Sequence, residues 1–166
     1  MTKDKNLTFE SARLLLGIAG QGPEEVIESA KRMLRSGRDP VAASLLIDIA
    51  ASALYRPWSR IAAVYALGLL DYEPSVRILI RILRDPSEKL ELRAHAAEAL
   101  GNLRRKRALP ALHKILMSER QLELRKWCIY AISEIGGSAA HRILGRFART
   151  RPRGKLLDEL NSVMGR

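Results

Sequence analysis

Six arginines in two segments share one spacing. Arg77, Arg81 and Arg84, and again Arg142, Arg146 and Arg149, fall at i, i+4 and i+7. At 100° per residue on a helix, each trio occupies a single face. Lys114 stands 33 residues after Arg81 and 32 before Arg146, so a chain repeating at that interval places Arg81, Lys114 and Arg146 in one column, with Pro110 and Met117 flanking Lys114. A guanidinium holds a carboxylate or phosphate through two parallel hydrogen bonds, and the chemistry on offer is therefore anion recognition. Cations at such positions also simply keep a helix face soluble, and the residues alone leave both readings open.

Other reactive groups do not assemble. His95, His113 and His141 lie on three different helices at non-equivalent repeat positions, without the paired spacing a metal needs and without a cysteine or acid constellation beside them. His95 and Glu98 can meet across one helical turn as a surface pair. The single cysteine, Cys128, cannot form an intramolecular disulfide, and it takes the repeat position of Ala63 and Ala96, that of a small buried hydrophobe. No glycine-rich phosphate loop follows a strand. The expectation is a protein that is not an enzyme, with no catalytic, cofactor-binding or metal-binding residues and no cofactor.

The net charge is +11, and its placement is uneven. Residues 101–166 hold 15 Lys and Arg against 5 Asp and Glu, whereas residues 1–100 hold 14 against 13. An excess confined to one end suits an acidic partner, whether nucleic acid, an acidic protein surface or an anionic membrane; solubility is the other explanation. Arg104-Arg105-Lys106-Arg107 reads as a solvated turn, and Arg151, Arg153 and Lys155 lie at the opposite edge. Near the N-terminus Lys3 and Lys5 precede Leu14, Leu15 and Leu16, but Asp4, Glu10 and Arg13 interrupt the run. Neither a signal peptide nor a membrane span is predicted, and a cytoplasmic location is expected.

The elements that must position these residues come from one pattern. Residues 88–118 read as two amphipathic helices, and residues 92–101 superpose on 59–68 and 124–133. Arg60, Arg93 and Arg125 coincide, as do Ala66, Ala99 and Ala131, and Leu79, Leu112 and Leu144, in steps of 33 and then 32. A two-helix repeat of that length predicts an all-α superhelix, a solenoid of about four antiparallel helix pairs forming a single domain over 1–166. Its expected parts are an N-terminal capping helix at 5–20 starting from Thr8, repeats at 23–54, 57–86, 88–118 and 119–150, and a C-terminal capping helix at 154–166. Ser118 and Gln121 are spaced as a capping box for the fourth repeat. The alanines allow close helix approach, and the Arg60, Arg93, Arg125 ladder is expected to pair with acids or carbonyls of a neighbouring turn. In the first repeat Asp48 replaces the base of the outer column.

The third repeat, LRAHAAEALGNL followed by ALPALHKILMS, resembles the HEAT-repeat consensus, including the variant found in bacterial proteins and in phycobilisome lyases. RIAAVYALGLL with PSVRILIRILRD and LRKWCIYAISEIG with AHRILGRFAR match it more loosely. The resemblance implies a right-handed superhelix with first helices on the convex side and second helices lining a concave groove. The family is mainly one of binding scaffolds, and it includes bilin lyases and helical-repeat DNA glycosylases. The expected function is a protein-interaction scaffold or adaptor binding an acidic protein surface or peptide through a basic concave face. The site residues are Arg77, Arg81, Arg84, Lys114, Arg142, Arg146 and Arg149. The alternative is nucleic-acid binding by the same face, and the third reading is a bilin-lyase-like accessory. Trp127 and Tyr130 fall on the convex side, either as a partner site or under the C-terminal helix.

Overall fold

The computed structural model describes residues 40–69 and 72–165. The predicted capping helix at 5–20 and the first helix of the first repeat lie outside them. All regular structure among the described residues is helical: α1 Pro40–Ala51, α2 Pro57–Leu69, α3 Glu73–Arg84, α4 Leu90–Asn102, α5 Leu109–Ser118, α6 Leu122–Ile135, α7 Gly137–Ala148 and α8 Lys155–Met164, with a 3-10 turn at Lys106–Ala108 before α5. Local sequence explains the joints. Pro57, Pro74 and Pro110 stand in first turns, where the missing N–H costs nothing, and Gly136 and Gly137 take φ of 64° and 80° between α6 and α7.

Two layers result. The first helices α2, α4, α6 and α8 stack in that order, and the second helices α1, α3, α5 and α7 stack beside them. Between the layers lies one apolar core, with Leu67, Leu79, Leu83, Leu100, Leu112, Leu116, Ile129, Ile132 and Phe147 fully buried. The first-helix layer is the tighter. A Cβ on Gly68 would stand 2.7 Å from Cα of Ala99, and one on Gly101 would stand 2.9 Å from Cα of Ala131. Glycine facing alanine thus brings α2 onto α4 and α4 onto α6, as the alanine pattern predicts. The next equivalent position is Ser133, whose hydroxyl donates to the Tyr130 carbonyl.

The arginine ladder forms as expected and ties three consecutive repeats. Nε of Arg60 donates to the Ala50 carbonyl at 3.0 Å, and its Nη1 to Glu88 at 2.8 Å. Nε of Arg93 donates to the Leu83 carbonyl at 3.1 Å, and its Nη2 to Glu119 at 2.8 Å. Each guanidinium therefore neutralises the carbonyl end of a second helix and bonds an acid leading into the next repeat. Arg125 donates to the Leu116 carbonyl at 3.0 Å, but its guanidinium lies 5.2 Å from the centroid of the Phe147 ring.

The fourth repeat starts differently from expectation. Its first helix begins at Leu122 and Gln121 supplies no side-chain cap. The Glu119 carboxylate instead accepts from the N–H groups of Arg120 and Gln121, while the Ser118 hydroxyl donates back to the Lys114 carbonyl. Glu119 is a better acceptor than a serine hydroxyl, and Arg93 already fixes it there. Trp127 and Tyr130 pack edge to face at 5.7 Å between centroids. Both are half-buried on α6, the helix against which α8 packs.

Candidate functional site

The second-helix layer has a free face, and the cations are on it. In α3 the buried side is Val76, Leu79, Ile82 and Leu83, which leaves Arg77, Arg81 and Arg84 exposed on the opposite side. Lys114 on α5, Arg142 and Arg146 on α7 and Arg149 just beyond its end are likewise exposed, as is Asp48 on α1. Helix order and the repeat step produce a grid of three rows: Arg77, Pro110, Arg142; Arg81, Lys114, Arg146; Arg84, Met117, Arg149. The middle helix is thus mostly apolar, with Met117 42% exposed, and arginines stand on either flank.

The grid is not level. Between α5 and α7 runs a groove of about 460 Å³ lined by Lys106, Leu109, Pro110, His113, Ala139, Arg142, Ile143 and Arg146. Of the seven predicted residues it brings together only Arg142 and Arg146. Arg77, Arg81, Arg84, Lys114 and Arg149 share the face but do not line the groove. Sequence reasoning missed Lys106 and His113. Lys106 lies in the short 3-10 turn, where it reads as solvated, and His113 is one residue off the column that Lys114 defines. Nε2 of His113 is buried without a hydrogen-bond partner.

Several charges elsewhere are paired, whereas Arg56, Lys89, Arg120, Arg151, Arg153 and Lys155 make no ion pair with a described residue. Arg104 donates to Glu134 at 2.7 Å, while Arg105 and Arg107 both reach Glu73. The turn is solvent-exposed, as expected, and its surface pairs reach neighbouring repeats: Arg104 and Arg107 bond residues 30 and 34 positions away. The Glu134 carboxylate, hydrogen-bonded to Arg104, pushes that guanidinium's pKa further up. Amides of Gln121 and Arg120, with Arg93 beyond them, hold the Glu119 carboxyl below its usual range. Ser87, through its hydroxyl and amide, does the same for Asp85, helped by Arg93 and Arg81. None of the seven face cations makes an ion pair or side-chain hydrogen bond with a described residue.

Nδ1 of His95 meets Glu98 at 3.1 Å, both half-buried on α4. Burial pushes the Cys128 thiol up to about 12, which agrees with its reading as an inert packing residue. Burial, with Glu134 and Glu98 nearby, also raises the Tyr130 phenol. Among the described residues no three His, Cys, Asp or Glu side chains gather as a metal site, and no helix is long and apolar enough to cross a membrane.

Residues 79–160 match the family described as HEAT repeats. No curated protein matches the sequence. Among solved structures the chain resembles one in the complex of CpcE and CpcF of phycocyanin lyase from Nostoc sp. PCC7120, with a TM-score of 0.60 and 21% identity over 87% of this chain. It spans 64% of that chain's length. With ladder, alanine seam and paired layers all in place, residues 79–160 are identified as HEAT repeats, which generally mediate protein interaction.

Proposed function

We propose that this protein is a non-catalytic cytoplasmic adaptor that holds an acidic segment of a partner protein against the free face of its second-helix layer. Arg77, Arg81, Arg84, Lys114, Arg142, Arg146 and Arg149 make the contacts. The observation that carries this reading is the division of the charges. The chain has 18 Asp and Glu for 29 Lys and Arg. The described carboxylates that pair with lysine or arginine do so with Arg60, Arg93 and Lys126 on first helices and with Arg104, Arg105 and Arg107 in one turn. Seven cations on one face make no ion pair with a described residue, although Asp85 lies near Arg81, and an anionic ligand relieves their mutual repulsion.

Protein is favoured over nucleic acid by what lies between the arginines. Pro110 and Met117 are exposed, half of the groove lining is aliphatic, and none of its eight lining residues is a phenylalanine, tyrosine or tryptophan of the kind that forms a base-stacking platform. The Nostoc chain is itself solved in a complex of two lyase proteins, which supports a protein partner here.

The test is binding of a fluorescent glutamate-rich peptide, a DNA duplex and a single strand at several salt concentrations. The peptide is expected to bind, and the combined variant Arg81→Glu, Lys114→Glu, Arg146→Glu is expected to abolish binding without lowering the melting temperature. Absence of peptide binding even at low salt sinks the proposal. Duplex binding with a steep salt slope, lost in the same variant, would assign the face to nucleic acid.

A further inference from the structure

We infer that the groove between α5 and α7 is an anchor pocket, taking one apolar side chain of an extended acidic segment whose carboxylates lie next to the anchor and again a few residues to one side. This rests on the adaptor reading and narrows the ligand. Four of the eight lining residues, Leu109, Pro110, Ala139 and Ile143, are apolar, and the other four are Lys106, His113, Arg142 and Arg146. A groove for phosphates alone has no use for the aliphatic wall, because phosphate affinity comes from charge neutralisation. One for an apolar ligand alone has no use for three cations. About 460 Å³ falls within the range of ligand clefts and holds a leucine or phenylalanine side chain with adjoining backbone.

The helix spacing sets the register. Carboxylates adjacent to the anchor reach Lys106, Arg142 and Arg146 on the rim. The arginines of α3 stand one helix beyond α5, roughly 10–15 Å from the groove at the usual interaxial spacing. An extended chain rises about 3.3 Å per residue, so acids about three to five positions from the anchor, on the α3 side only, meet Arg77, Arg81 and Arg84.

The experiment compares two fluorescein-labelled ten-residue peptides, each with glutamates beside the central residue and two more about four positions to one side. One carries leucine at the centre and the other serine. The leucine peptide is expected to bind about tenfold more tightly. In Pro110→Glu, at an exposed position near a helix start where an acid is tolerated, the leucine peptide falls to the level of the serine peptide. Equal affinity of the two peptides for the natural protein overturns the anchor while leaving the acidic-partner reading intact. Binding of neither peptide overturns both.

Discussion

Arginine serves two purposes in this molecule, and the layers keep them apart. At the repeated position of the first helices, Arg60, Arg93 and Arg125 all end on a carbonyl of the preceding second helix, and the first two also hold a carboxylate. On the free face of the second helices no arginine does either. The first group lies at the joints between repeats, with Arg60 and Arg93 buried and Arg125 half-buried, where an unpaired charge is costly. The second lies in water, where charge is tolerated and remains available. Position within the repeat, more than residue type, decides which role an arginine takes.

The largest test of that division is one substitution made in each layer. Arg93→Met strands the Glu119 carboxylate and the Leu83 carbonyl, and is expected to cost about 3 kcal/mol, or roughly 6–12 °C in Tm. Arg81→Met removes no protein contact and should change stability by less than about 0.5 kcal/mol. Thermal melts of the two variants check this, and equal losses would erase the distinction. Acid sharpens it. Because the folded pKa of Glu119 is depressed, its stabilisation is fully present above the ordinary carboxylate value and is lost as pH falls through the folded value. The penalty of Arg93→Met should shrink over that fall, while amides of Gln121 and Arg120 keep part of the depression. Arg81→Met should show a much weaker dependence, since Arg81 is only the smallest of the causes that lower the Asp85 carboxyl.

Glycine separates the layers as clearly. Gly101→Ala drives a Cβ against Ala131, in a seam where both sides are helix backbone, and should cost about 1–3 kcal/mol. Gly145→Ala, on α7, meets nothing within 4 Å and should stabilise by about 0.5–1 kcal/mol through helix propensity alone. Melting temperatures moving in opposite directions is the expected result; a loss at Gly145 would mean the second-helix layer is packed as tightly as the first.

The same contrast explains what could be read in advance. Helix pairs, alanine seam and arginine ladder were legible because each recurs at the repeat step, and proline and glycine mark the joints. The partners of the ladder were not. Glu88 and Glu119 lie in connections, 31 residues apart where their arginines are 33 apart, so no single period relates both. Arg104 and Arg107 read as solvated and are exposed, but the partners of this turn, Glu134 and Glu73, belong to neighbouring repeats and are not legible from its own sequence. The face cations were legible from helical spacing, but the groove was not. It depends on how far α7 stands from α5 and on Lys106 and His113, whose positions follow from the 3-10 turn and from half-burial, neither of which a wheel at 100° per residue describes.

The smallest expected effect lies inside the ladder itself. The connection after α7 reads Arg149-Thr150-Arg151-Pro152-Arg153 and contains no acid to play the part of Glu88 or Glu119. The Arg125 guanidinium lies over Phe147 instead. Such a contact contributes on the order of 0.5–1 kcal/mol where partly exposed, and its loss leaves no carboxylate stranded. Arg125→Met should therefore cost about 1 kcal/mol, well below Arg93→Met, and the cost should not change through the carboxylate range. A double-mutant cycle with Phe147→Leu isolates the ring's share from the cavity it leaves. A coupling near zero would mean that Arg125 is held by the Leu116 carbonyl alone, and would place this end of the ladder closer in character to the free face than to the joints.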